Sequence, residues 1–156
     1  MPKGKRTDWD PAASAVSNAR LKLPALVEPY FRAGRKLAGA GLGELHKFRL
    51  LTKRLRYTIE FFRFCYGPGL EDRLRDLRKI QDYLGAISDC ESARELIEET
   101  LPARSRERAD VEAFLRRRAK RKAAQLRRYW REVFDSGGAE ARWRTYLARP
   151  KTQAGN

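Results

Sequence analysis

The sequence predicts an all-α fold, arranged as an antiparallel four-helix bundle. Two observations carry this. Ala, Leu, Arg, Lys and Glu dominate, all strong helix formers, whereas Val and Ile are scarce and no stretch alternates apolar with polar residues. Short Gly- and Pro-containing breaks divide the chain into segments of helical length, and short connections favour antiparallel neighbours. With 156 residues, 42% of them hydrophobic, the chain is long enough to bury one core.

Residues 1–10 read as a disordered lead, 11–149 as the helical bundle and 150–156 as a flexible tail. A first helix spans Ser14 to Lys36, with Leu21, Leu26, Val27, Tyr30, Phe31 and Leu37 as its apolar candidates. Pro24 and Pro29 fall inside it, so a kink or a late start is expected. The run Gly39-Ala40-Gly41-Leu42-Gly43 breaks it. A second helix runs from about Glu44 to Tyr66 and stops at Gly67-Pro68-Gly69. A third covers about Leu70 to Leu84. Gly85 marks a point where it ends or loosens, and Ser88 to Leu101 is a further helical stretch. A long fourth helix covers about Arg106 to Phe134, with Val111, Phe114, Leu115, Leu126, Tyr129, Trp130 and Val133 as its apolar stripe. A short fifth spans Ala139 to Leu147.

Charge narrows the function. The net charge is +15, and it is unevenly placed. Residues 1–70 carry 14 basic and 5 acidic side chains, residues 71–100 carry 5 and 9, and residues 101–156 carry 16 and 6. A field of this sign attracts polyanions: nucleic acid, an anionic membrane surface or polyphosphate. Two cysteines, Cys65 and Cys90, without CxxC spacing, make neither a disulfide framework nor a zinc site. No cofactor is expected. The first residues lack an apolar signal-peptide region, and no apolar run reaches membrane-span length, so a cytoplasmic location is expected and a membrane partner is not.

The second helix carries the strongest signal. At about 100° per residue, Leu45, Phe48, Leu51, Leu55, Ile59 and Phe62 form one stripe that faces a core. His46, Arg49, Lys53 and Arg56 stack in a row on a different face, bordered by Tyr57, while Arg54 points elsewhere; Tyr57 and Arg54 are counted with the row as candidate binding residues. Like charges at these spacings repel, and an anion along the row relieves the repulsion. Arginine offers a planar fork of donors to phosphate, and lysine a point charge. The bland alternative is a solvated face, or one paired with Asp76, Asp82 and Asp89 of the third helix. On the third helix Arg75 and Lys79, and on the fourth Arg118 and Lys122, are placed by helical geometry to join the same site. The aromatics near these cations (Tyr57, Tyr129, Trp130) fall mostly on packing faces, which makes them poor stacking platforms for bases.

Residues 45–62, LHKFRLLTKRLRYTIEFF, followed by LRKIQDYLGAISD at 77–89, resemble the CHAD family, the conserved histidine α-helical domain. His46, Arg49, Lys53, Arg54, Leu55, Arg56 and Tyr57 match the first part of its pattern. Leu77, Gln81, Asp82, Leu84, Gly85 and Asp89 match the second. The resemblance implies an all-α fold and non-catalytic binding of inorganic polyphosphate along a basic surface, with His46, Arg49, Lys53 and Arg56 at its centre. A full CHAD domain holds two bundles facing across a basic channel. This chain resembles one half, so a homodimer that restores the pair is expected, in association with polyphosphate granules. The alternative is a basic nucleic-acid-binding protein. An enzyme is not expected: phosphoryl transfer normally uses carboxylates that hold metal ions, and the row contains none.

Overall fold

A computed structural model describes residues 8–151. Residues 1–7 of the expected lead and 152–156 of the expected tail lie outside that range. Six α-helices follow one another among the described residues: α1 (Ala15–Lys22), α2 (Pro24–Arg35), α3 (Leu42–Phe61), α4 (Gly69–Thr100), α5 (Arg106–Tyr129) and α6 (Ala139–Leu147). No strand occurs among the described residues. The fold is all-α.

The helix boundaries follow local chemistry. Ser14 caps α1, its Oγ accepting from the Ser17 N–H at 3.1 Å. Pro24 occupies the start of α2, where a missing N–H costs nothing. The expected kink is a change of helix at Leu23, one residue ahead of Pro24, and Pro29 stays within α2. Glu44 Oε2 accepts from the Gly41 N–H at 3.0 Å and closes the first turn of α3. Ser105 caps α5 through the Arg108 N–H at 3.2 Å. Past Tyr129 the helix widens into a π turn over Trp130–Phe134, closed by Asp135 N–H to Trp130 O at 2.8 Å.

Gly85 does not interrupt α4, which runs unbroken for 32 residues. A mid-helix glycine costs about 1 kcal/mol. Burying Leu84 and Ile87 on either side of it returns about 1.5–3 kcal/mol each. The packing outweighs the propensity.

The core has two parts. One is aromatic: Tyr30 stacks on Phe48 at 5.1 Å, Trp130 on Phe134 at 4.7 Å, and Phe134 meets Trp143 at 5.4 Å. The Tyr30 hydroxyl lies 3.0 Å from Thr52 Oγ1, which itself donates to Phe48 O, so Tyr30 is the donor. The other part is the leucine-rich face of α4 (Leu70, Leu74, Leu77, Ile80, Leu84 and Ile87), packed with Leu55, Ile59 and Leu126. Of the stripe expected on α3, Leu45, Phe48, Leu55, Ile59 and Phe62 are buried and Leu51 is half-buried. Three expected core residues are instead exposed: Leu21, Phe114 and Val133. Those sides of α1, α5 and the π turn are open among the described residues.

Both ends of the described chain are tied down. Trp9 packs on Phe62 at 5.1 Å, and Asp10 exchanges hydrogen bonds with Asn18. Pro150 is buried, and the Lys151 N–H donates to Cys65 O at 2.7 Å.

Candidate anion-binding surface

Packing of the apolar stripe of α3 leaves its basic row on the flank beside α4, and the two helices run antiparallel. His46 and Arg49 line a cleft of about 220 Å³ whose far wall includes Ser88, Glu91, Ser92 and Glu95. Three turns along, Arg56 Nε donates to Gln81 Oε1 at 2.8 Å, and its Nη1 meets Glu60 at 2.5 Å. Arg78 reaches the same Glu60 oxygen at 3.3 Å. The Arg56 guanidinium also sits 4.4 Å from the centre of the Tyr57 ring.

The row is therefore graded from tied to untied. Arg56 is fixed by three partners. Arg49 is half-buried, and its Nε is buried without a hydrogen-bond acceptor. Such an orphaned donor costs about 1–3 kcal/mol. Lys53 is half-buried and His46 exposed, and neither is ion-paired among the described residues. Arg54 is exposed. The acids weighed as partners are elsewhere. Asp76 accepts from the Tyr129 hydroxyl at 3.3 Å, with its carboxyl pushed above the usual range by burial. Asp82 and Asp89 are exposed and bond to none of the row.

Gln81 and Ser88, seven residues apart, mark the face of α4 that meets α3. Asp76, Tyr83 and Cys90, also seven apart, mark the face that meets α5, where Tyr83 packs on Tyr129 at 6.0 Å and Cys90 borders Leu115 and Ala119. The two sets are offset by two residues, about 200°. Helices α3 and α5 thus flank the leucine-rich face of α4 on its two sides, and they meet each other where Leu42 and Leu45 share a cleft with Leu115 and Ala119 and where Phe48 packs on Trp130 at 5.7 Å. Arg118 and Lys122 are half-buried on the Tyr129 side of α5, so the structure does not bring them to the row. Lys79 lies on the same far side, 5.2 Å from the Tyr83 ring centre. Arg75 is exposed and pairs with Asp72 at 3.0 Å.

Sequence reasoning missed the cations that do approach the start of α3. A cleft of about 270 Å³ between α3, α4 and α5 is lined by Arg94, Arg116, Lys120 and Arg127. Arg127 donates to the carbonyls of Leu37 at 2.7 Å and Ala40 at 3.1 Å, which seals the turn ahead of α3. The i, i+4, i+11 spacing of Arg116, Lys120 and Arg127 was the available signal. Tyr57 also differs from expectation: it is 51% exposed and lines an apolar cleft with Trp9, Phe61 and Phe62. Cys65 and Cys90 are buried and unbridged, and burial pushes the Cys65 thiol up. No cluster of three metal-ligating side chains occurs among the described residues. None of the described helices is long and apolar enough to cross a membrane.

A family model described as the CHAD domain matches residues 5–98, from ahead of α1 to the last turn of α4. The chain belongs to the CHAD-domain family. No curated protein and no solved structure matches it. The CHAD match includes the whole row on α3 and its neighbours on α4. It ends before α5, so the cations of that helix stand outside the shared domain.

Proposed function

We propose that this CHAD-family protein binds inorganic polyphosphate, without turning it over, along the flank of α3 formed by His46, Arg49, Lys53 and Arg56. The observation that carries the reading is Arg49: a guanidinium held half-buried at a cleft, with a buried Nε lacking any acceptor. A phosphate oxygen in the cleft meets the two outer nitrogens of this guanidinium, which bond to no described residue. Lys53 and His46, unpaired on either side, extend the contact, and Arg56 is held ready by Gln81. Membership of the CHAD family supports polyphosphate over other polyanions. Binding of this kind releases counterions and weakens as salt rises. In the cell, the protein would collect on polyphosphate deposits.

The row lies open on one side, so we also propose that two chains pair with their α3 flanks facing each other across the bound polyanion. Light scattering with and without polyphosphate tests this. A mass of one chain in both conditions, at micromolar protein, rules the pairing out.

The decisive experiment on the site is charge reversal. Arg49→Glu with Lys53→Glu is expected to remove most affinity for long-chain polyphosphate while helical circular dichroism is retained. Unchanged affinity sinks the assignment. Two companion measurements separate the competing classes. An oligonucleotide that displaces polyphosphate at equal or lower concentration favours nucleic acid as the ligand. Release of phosphate on incubation with magnesium reveals an enzyme.

A further inference from the structure

The cations of α5 divide into two kinds. Near its ends the arginines have partners: Arg106 with Asp110 at 3.9 Å, Arg108 with Glu112 at 2.8 Å, Arg128 with Glu132 at 3.0 Å, and Arg127 with the Leu37 and Ala40 carbonyls. In the middle, Arg116, Arg117, Arg118, Lys120, Arg121 and Lys122 make no hydrogen bond or ion pair with any described residue. No acid occurs between Ala113 and Arg131. Six cations thus sit within seven residues, about 9 Å of helix axis. They repel one another at 116–120, 117–121 and 118–122, all i, i+4 pairs.

Helical geometry arranges them as a collar. Leu115, Ala119 and Ala123 face the cleft toward α4. Arg117 and Arg121 are exposed on the outer side, Arg116 and Lys120 flank the cleft, and Arg118 and Lys122 lie on the Tyr129 side. Because Arg117 and Arg121 lie about 200° round α5 from the Leu115 and Ala119 side that closes the cleft with α3 and α4, one short straight anion cannot span the row and this outer pair. The geometry points to a second polyanion surface, on α5 and outside the CHAD match, that makes each chain a bridge between two polyphosphate segments. A flexible chain of phosphates can follow cations projecting on three sides of a helix, whereas a rigid duplex meets one side. The identity of the ligand rests on the reading given above for the row; the separation of the two surfaces does not.

The test uses beads carrying end-tethered long-chain polyphosphate, and a fluorescent second polyphosphate chain in solution. The wild-type protein is expected to bind the beads and recruit the second chain. Arg117→Glu with Arg121→Glu alters two exposed side chains, so the fold is expected to persist by circular dichroism. This variant is expected to bind the beads still, with recruitment reduced about tenfold or more. Recruitment equal to wild type overturns the proposal, including by showing that paired α3 rows alone do the bridging. Recruitment of a fluorescent DNA duplex but not of polyphosphate also overturns it, in favour of a nucleic-acid face. The Arg49→Glu, Lys53→Glu variant separates the two readings. If its bead binding is unchanged while the α5 variant loses bead binding, the α3 site fails and α5 is the sole surface, which overturns bridging as well. If it binds the beads only through α5, with the large loss of affinity expected above, and fails to recruit, both surfaces stand.

Discussion

Across the α3–α4 interface, the Nε of Arg56 donates to Oε1 of Gln81 at 2.8 Å. Two turns earlier on the same row, the Nε of Arg49 is buried with no acceptor at all. The two arginines share a face and a charge but differ in what holds them. That difference predicts opposite effects on stability. Arg56→Met leaves Gln81 without its partner and Glu60 with Arg78 alone, and is expected to destabilise the protein by about 1–2 kcal/mol. Arg49→Met removes an unsatisfied buried donor and is expected to leave stability unchanged or raised. Affinity is expected to show the larger loss for Arg49→Met. Urea unfolding and polyphosphate titration of the two variants check both halves; a large stability loss in Arg49→Met contradicts the orphaned-donor account.

Salt dependence counts the cations in contact. Neutralising Arg49 and Lys53 together is expected to flatten the slope of log affinity against log salt by about 1.4, taking roughly 0.7 per charge as for single-stranded polyanions. Neutralising the exposed Arg20 as a control is expected to change the slope less. Titrations at four salt concentrations measure it.

Gly34 is required by Trp130. A β-carbon on Gly34 would lie 2.0 Å from Trp130 Cζ2, inside a buried and rigid indole. Alanine would gain up to about 1 kcal/mol of helix propensity, but the overlap forces the aromatic cluster apart at a cost of about 1–3 kcal/mol or more. Gly34→Ala is expected to lower Tm by several degrees. An unchanged Tm means that the indole relocates freely.

Gly85 is the contrary case. Nothing lies within 4 Å of a β-carbon placed there, and the residue sits in the middle of α4. Gly85→Ala is expected to stabilise by about 0.5–1 kcal/mol, measured by denaturant unfolding.

Alkaline pH is expected to destabilise the fold. Burial raises the phenols of Tyr30 and Tyr66, and raises Tyr129 to about 12 with help from the Asp76 carboxylate. An unfolded tyrosine ionises near 10. Below that pH both states hold the proton and the contribution is fully present. As pH rises from about 10 towards 12, the unfolded state ionises first and stability falls. Unfolding curves at pH 8, 10 and 11 test this, and Tyr129→Phe is expected to flatten part of the decline.

Much of this was legible in the sequence. Helix composition and the Gly and Pro breaks gave the helices, because propensity and chain punctuation are local. The 3.6-residue period separated Leu45, Phe48, Leu55 and Ile59 from His46, Arg49, Lys53 and Arg56, because a helix fixes which residues share a face whatever surrounds it. The tertiary structure decided the rest. Gly85 stays helical because its neighbours are buried across two interfaces. Arg118 and Lys122 are parted from the row because they lie on the Tyr129 side of α5, where that helix meets Asp76 and Tyr83 of α4, and Arg127 is spent on the Leu37 and Ala40 carbonyls. Which cations on α3 and α5 remain without partners depends on acids and carbonyls brought from other helices, and local spacing holds no record of those.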